Sequence, residues 1–437
     1  MSQQETILKN AFAAALAVAD PQQIVPQYLR QIFPAGEEPK GRCLVVGAGK
    51  ASASMASAME SFAKQYWPKV ALSGVVLTRY GHSSPTSQIQ IIEAGHPVPD
   101  QAGMDGAKEI FRLVSQLEQG DVLIALISSL LTLPQPGISI DDMRKTTEAL
   151  LRSGAPIEEM NVVRKHLSAI QGGNLARLAI TRGARVEALL ISDVTGDSPA
   201  DIASGPCAPD YSSYQDALNI LAKYHLGVQA IPASVLDHLA RGNAGEIPET
   251  LKESDLQNAQ VNNHVIATAY KSLEAAADFV RSHGYEPIIL GDTITGEAQA
   301  VGIEQANAAR EIMDGPQVAK RPVAIISGGE CTVTLPVGTK GRGGRCSEFL
   351  LSLLNASVGM QNISALAADT DGIDGSEKNA GAWFTPAVRK AAQEQALLPE
   401  EFLSKHDCYG FFAQLQALVE TGPTLTNVND FRIILLD

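Results

Sequence analysis

Val45-Val-Gly-Ala-Gly-Lys-Ala-Ser52 joins an apolar run to a glycine turn and then to the start of a helical pattern. A strand that delivers a turn to a helix N-terminus presents unpaired N–H groups and a partial positive charge, and Lys50 adds an ammonium. The same alternation continues along the chain. Apolar runs at 42–46, 74–77, 90–93, 122–127, 186–191, 286–290, 323–326, 363–367 and 432–436 read as strands. Most are continuous rather than alternating, as strands covered on both faces should be. Helical patterns at 50–64, 142–153, 160–170, 212–223 and 295–313 lie between them. This order predicts an α/β fold with mostly parallel sheets sandwiched by helices.

Length divides the chain. At 437 residues one compact domain is exceeded, and two α/β domains fit. The polar, poorly periodic stretch 241–259 places the junction, giving domains of 1–245 and 246–437. A net charge of −14 with no long basic run argues against nucleic acid as partner. Cys43, Cys207, Cys331, Cys346 and Cys408 are scattered and lack metal-ligand spacing, which suggests a reducing compartment. The apolar stretch 11–19 has no basic residues before it that Glu5 does not offset, and reads as an amphipathic first helix. No run approaches the roughly 20 apolar residues of a membrane span. The expected location is the cytoplasm.

In open parallel sheets, ligands sit beyond the carboxyl ends of strands, and the polar clusters fall there. Two readings stand for Lys50: an anion-binding ammonium held by Gly47 and Gly49, or a solvated lysine on a tight turn. The glycine pattern matches a dinucleotide fingerprint only weakly, since the next strand runs into Thr78 and Arg79 rather than an acid. After the strand at 186–191, Asp193, Asp197 and Asp201 could hold Mg²⁺, take a proton from a hydroxyl, or cap a helix. In Asn161-Val-Val-Arg-Lys-His-Leu-Ser168, successive charges point different ways, so at most one or two face a site. Ser327-Gly328-Gly329-Glu330 ends another strand. Gly341-Arg342-Gly-Gly-Arg345 offers two guanidinium forks, and Asp369-Thr-Asp371 offers paired acids. Cationic forks with clustered acids point to an anionic substrate handled with a metal ion, hence to phosphoryl transfer.

These segments, together with Gly95-His-Pro-Val-Pro-Asp100 and Thr421-Gly-Pro-Thr424 with Thr426-Asn-Val-Asn-Asp430, resemble the type II glycerate kinase family. They occur in family order over nearly the whole chain. The resemblance implies a Rossmann-like N-terminal domain, a smaller α/β domain of MOFRL type, and a cleft that binds ATP, Mg²⁺ and D-glycerate. It implies phosphorylation of the 2-hydroxyl to give 2-phosphoglycerate. Lys50, Asp193 and Arg345 are then the expected catalytic residues. Gly47, Gly49, Ser327, Gly328, Gly329 and Arg342 are expected on substrate or phosphate, with Glu330, Asp369 and Asp371 on the metal. Expected partners are glycerate and the nucleotide, and a homodimer is compatible.

Three departures stand out. Where the family carries a Ser-Gly-Gly-Gly-Ser loop, this chain has Ser128-Ser-Leu-Leu-Thr-Leu-Pro134, and leucines cannot wrap a phosphate in N–H groups. Cys346-Ser347 replaces an Asn-Gln type pair. Leu425 occupies a glycine position, where a left-handed backbone is costly for leucine. The first departure supports an alternative, ligand binding without turnover. A hydroxypyruvate reductase, a label also given to family members, is the other, with Arg79 meeting a 2′-phosphate.

Overall fold

The computed structural model describes residues 2–95, 100–129, 131–314, 322–336 and 338–437. The chain divides into two compact units, Pro21–Ile266 and Met1–Asp20 with Ala267–Asp437. The division thus falls beyond the polar stretch 241–259, and the first helix, α1 (Gln3–Ala17), joins the C-terminal unit. Ile7, Leu8, Ala11, Phe12 and Ala15 form its buried face at helical spacing.

The N-terminal unit runs α2 (Pro21–Ile32), β1 (Cys43–Ala48), α3 (Ser52–Tyr66), β2 (Leu72–Arg79), β3 (Ile89–Ala94), α4 (Gln101–Val114) and β4 (Val122–Ile127). It continues through α5 (Ile140–Arg152), α6 (Ile157–Leu167), α7 (Asn174–Ile180), β5 (Arg185–Ile191), α8 (Tyr214–Lys223), α9 (Ala233–Asn243) and β6 (Val261–Ala267). Its sheet has the order β3-β2-β1-β4-β5-β6, parallel from β3 through β5. The order reverses between β1 and β4, which opens a crevice at their carboxyl ends. The interior positions explain the runs read from sequence: β1 and β4 are buried along their whole length. β6 escaped that reading because Asn262 and His264 interrupt it. Both side chains meet the buried Glu187 of β5, at 2.8 and 2.7 Å.

Helices α5, α6, α8 and α9 build a separate cluster around Val163, Leu167, Tyr214, Leu221 and Leu239. A charged knot lies beside it. Lys165 is buried and ion-paired with Asp210 at 3.4 Å and Asp201 at 3.5 Å. Asp210 also accepts from the hydroxyls of Ser212 and Thr250, each at 2.9 Å. Burial works against its charge, yet Lys165 and these hydroxyls hold its carboxyl below the ordinary value.

The C-terminal unit adds α10 (Ala269–Ser282), β7 (Glu286–Gly291), β8 (Gly296–Glu297), α11 (Ala298–Asp314), β9 (Val323–Gly329), β10 (Cys331–Thr332) and α12 (Arg345–Ala356). β11 (Ile363–Asp369), β12 (Gly381–Phe384), β13 (Leu418–Val419) and β14 (Asp430–Leu436) follow. The main sheet has the order β13-β12-β11-β14-β9-β7. Here the expectation of a mostly parallel sheet needs correction. Only β7 and β9 run parallel; β14 is antiparallel to both β9 and β11, β12 to β11, and β13 to β12. The reason lies in the connections. β14 slots between β9 and β11, and the link from β11 to β12 is too short for a parallel crossover. Phe431 meets Phe12 of α1, while Arg432 lies over Phe349 of α12. Neighbours on a strand face opposite ways, so helices cover both faces. A strand buried on both faces reads as a plain apolar run whichever way it points.

Replacing Asp210 by Ala strands Lys165 in the interior with only the longer Asp201 pair. We expect a loss of about 3 kcal/mol, as for other broken buried pairs. The urea midpoint of the purified variant measures it, and an unchanged midpoint removes this knot from the fold's supports.

Candidate functional site

Two strand-end sites emerge, one in each unit. In the N-terminal unit, the ends of β1, β2 and β3 surround a cavity of about 280 Å³. Lys50 lines it from the turn after β1, Arg79 from the end of β2, and Arg164 from α6. Among the described residues neither Arg79 nor Arg164 has a carboxylate within ion-pair distance. Burial lowers the proton affinity of the Arg164 guanidinium, with no acid to offset it. Three cationic side chains on one small cavity are an arrangement that suits an anion. Of the run Arg164-Lys165-His166, Arg164 alone lines the cavity. Lys165 turns to Asp210, while His166 packs edge-on against Tyr214 and faces Glu249 at 3.4 Å.

Gly47 and Gly49 serve the chain's own packing. A Cβ on Gly47 would lie 2.4 Å from Leu126 O, and one on Gly49 2.2 Å from Ser128 Oγ. Gly49 also has φ +127, a left-handed value that favours glycine. The altered loop is built into this corner. Ser128 and Ser129 donate their N–H groups to Ala48 O at 2.9 and 3.2 Å. Ser128 Oγ accepts from Ala51 N at 3.0 Å, so it satisfies one donor at the start of α3. Leu131 is buried in the core, and Leu131 with Thr132 lines the cavity. Leu130, the other leucine of the loop, and positions 96–99 of the Gly95–Asp100 motif lie outside the described residues.

Asp193 follows β5, two strands from β1, and does not line this cavity. Asp201 is engaged with Lys165. The loop that carries them is strained: Asp197, Ala203 and Ser204 have φ 53, 52 and 58.

In the C-terminal unit, Arg345 at the start of α12 gives every arm of its fork to an acid. Nε reaches Asp430 at 2.8 Å, Nη2 reaches Asp369 at 2.8 Å, and Nη1 reaches Glu330 at 3.0 Å. Burial opposes its charge, but Asp430, Asp369 and Glu330 raise its proton affinity above the ordinary arginine value. Asp369 is pushed the other way from a normal carboxylate. Burial first, then Asp371 and Asp430, raise its proton affinity well above the usual range despite Arg345. Asp371 N donates to Asp369 Oδ1 at 3.0 Å, holding the two acids together.

The remaining expected residues are engaged within the unit. Ser327 is buried and bonded to Gln305 at 3.0 Å. The carbonyls of Gly328 and Gly329 accept from Arg432 at 3.3 and 3.4 Å. Arg342 lies over the Tyr409 ring at 4.9 Å, with Asp407 at 3.5 Å. Leu425 adopts φ 59, the left-handed backbone expected from its position. Three participants went unread: Arg164, whose direction no sequence pattern fixes, and Asp430 with Arg432. The last pair had a signal, since two opposite charges at i and i+2 of an apolar strand share one face. Asp374 caps α12 by accepting from Cys346 N at 2.9 Å and Ser347 N at 2.8 Å.

Comparison with known proteins covers both units. Residues 7–240 match a domain of unknown function, DUF4147, and residues 323–430 match the MOFRL family. An Agrobacterium vitis protein with a provisional hydroxypyruvate reductase name is 45% identical over 98% of this chain and 94% of its own. Glycerate 2-kinase of Pyrococcus horikoshii is 37% identical over 97% of this chain and 95% of its own. The crystal structure of glycerate kinase from Thermotoga maritima matches with TM-score 0.84 and 34% identity, covering 99% of each chain.

Burial, against the opposing bonds from Ser347 and Cys346, pushes the Asp374 carboxyl up to about 6. A folded pKa above the unfolded one favours the native state at low pH, and that advantage is lost as pH rises through 6. Relative to Asp374→Asn, the natural protein should therefore lose up to about 3 kcal/mol between pH 4 and 6.5. Urea melts of both proteins across that window test this; parallel pH profiles would refute it.

Proposed function

The chain belongs to the glycerate 2-kinase family with its MOFRL module, and on that premise we propose that it transfers a phosphoryl group from ATP to the 2-hydroxyl of D-glycerate. The observation that carries this reading is the cationic cavity of Lys50, Arg79 and Arg164 at the reversal point of a parallel sheet. Both reactants are anions, and transfers of this kind depend mainly on positioning and charge neutralisation. Lys50, on the turn after β1, is assigned to the charge that moves with the phosphoryl group. Asp193, which does not line this cavity, is the sequence-based assignment for orienting or deprotonating the attacking hydroxyl.

Mg²⁺ is assigned to Asp369 and Asp371. Among the described residues, no group of three or more His, Cys, Asp or Glu is arranged to hold a metal ion. Mg²⁺ often takes only one or two carboxylates and completes its shell with water and phosphate. Two acids held together, Asp369 with a proton affinity raised by burial and then by its acidic neighbours, suit that lesser demand. When bound, the ion would neutralise phosphate charge. Glu330, the third acid expected on the metal, is half-exposed and paired with Arg345. Arg345 organises these acids, and Arg342 supplies the more exposed cation beside it.

The reductase alternative is less well supported. A dinucleotide pyrophosphate needs close approach at the glycine turn and the first N–H groups of the helix. Ser128 and Ser129 fill the space over Gly49, and Ser128 takes the Ala51 N–H. The same contacts bear on the reading of binding without turnover, because the altered loop is packed into the fold.

ADP release with ATP, Mg²⁺ and D-glycerate tests the activity. Lys50→Ala should lower kcat on the order of 100-fold, the scale of a lost transition-state contact, with its urea midpoint retained. A folded Lys50→Ala protein at full rate would falsify the assignment, and oxidation of NADH or NADPH by hydroxypyruvate without ATP would favour the reductase.

A further inference from the structure

One polar atom on the Lys50 cavity is unaccounted for. Thr132 Oγ1 is shielded from solvent and has no hydrogen-bond partner among the described residues, although Thr132 lines the cavity together with Arg164. A buried hydroxyl left unbonded is costly, and one that stands on a cavity is explained by a ligand that would meet it. Its backbone is fixed on both sides. Leu131 O accepts from Gln171 Nε2 at 3.3 Å, and Leu133 O accepts from Ala169 N at 2.7 Å. The backbone that carries Thr132 is thus held before binding, as an effective receptor requires. Arg164 brings a planar fork that no described acid occupies.

We propose that Thr132 and Arg164 together receive the carboxylate of the acceptor, a short hydroxy acid, so that a side-chain hydroxyl grips an oxyanion where this loop has no glycine backbone to do so. This rests on, and deepens, the kinase reading. A phosphate oxyanion has the same donors in view, and the size and walls of the cavity decide between them. About 280 Å³ lies at the small end of ligand pockets, and Leu77, Met104 and Leu131 give it apolar walls. A three-carbon acid fits such a space, with its carboxylate on Arg164 and Thr132 and its carbons against the leucines. Thr132 and Arg164 are positioning residues here: they fix where the hydroxyl stands and leave the transfer to other groups.

The experiment is calorimetric titration of D-glycerate, inorganic phosphate and ATP–Mg²⁺ into the natural protein, Thr132→Val, Thr132→Ser and Arg164→Lys, with KM and kcat from ADP release. Thr132→Val keeps the shape and removes the donor. It should weaken D-glycerate about tenfold, the scale of a lost hydrogen bond to a charged group, and raise KM for glycerate more than it lowers kcat. Thr132→Ser should restore most of the affinity. Arg164→Lys, which keeps charge but loses the fork, should weaken D-glycerate at least as much. If Thr132→Val does not fold, Arg164→Lys decides the matter. Unchanged D-glycerate affinity in Thr132→Val or in Arg164→Lys overturns the proposal. So does a loss that falls on phosphate or ATP–Mg²⁺ instead, or absence of D-glycerate binding to the natural protein. Weakened D-glycerate binding without ADP release from the natural protein keeps the receptor and removes the kinase. ADP release with an unmoved KM does the reverse.

Discussion

Asp430 accepts from two arginines at once, Arg345 Nε at 2.8 Å and Arg432 Nη2 at 2.9 Å. A carboxylate buried this deeply is tolerable only because both oxygens are met by fixed cationic donors. The C-terminal unit is arranged around that demand. Arg432 must lie inside the sheet, so it is bonded to Asp430, to Cys331 Sγ at 3.1 Å and to the last two carbonyls of β9, with Phe349 under its plane. Arg345 must begin α12, and its remaining arms then fix Asp369 and Glu330. Removing either arginine would leave a charge in the interior, so the acids at these strand ends are set by ionic geometry more than by loop packing.

The two units divide the chemistry by sign. One gathers cations on a small cavity whose walls are partly apolar; the other gathers acids against two arginines. Each cluster sits at the ends of strands, where backbone direction brings side chains from separate parts of the sequence together. That placement is general for open sheets. What is particular to this chain is the corner at β4, where Ser128 caps α3, Leu131 enters the core and Thr132 keeps an unbonded hydroxyl. A loop without its glycines has become a packed wall that still offers one donor.

Much of this was legible in the residues. Continuous apolar runs located each strand predicted at 42–46 through 432–436, most plainly β1, β4, β9, β11 and β14, where burial on both faces leaves little alternative composition. The same property hid strand direction, and so the mixed sheet of the C-terminal unit. β6 went unread because its Asn262 and His264 satisfy a buried acid rather than fill a core. At the sites, residue type and position at strand ends pointed to Lys50, Arg345 and Asp369, which stand on the cavity and in the acid cluster. Sequence could not show that Arg345 is saturated with carboxylates, nor that Arg164 and not its neighbours turns to the cavity. Both facts depend on the angle at which a helix leaves its turn.

The strand that carries Asp430 is later in sequence than the two it separates, and α1, which packs in the same unit, is made before either. During synthesis the apolar face of Ile7, Leu8 and Phe12 must wait through the whole N-terminal unit before α10 and Phe431 arrive to cover it. β9 and β11 likewise emerge without the partner that will join them. This unit therefore cannot fold vectorially. It closes in a late step, and until then its earliest helix and two strand edges are exposed to chaperones and to aggregation.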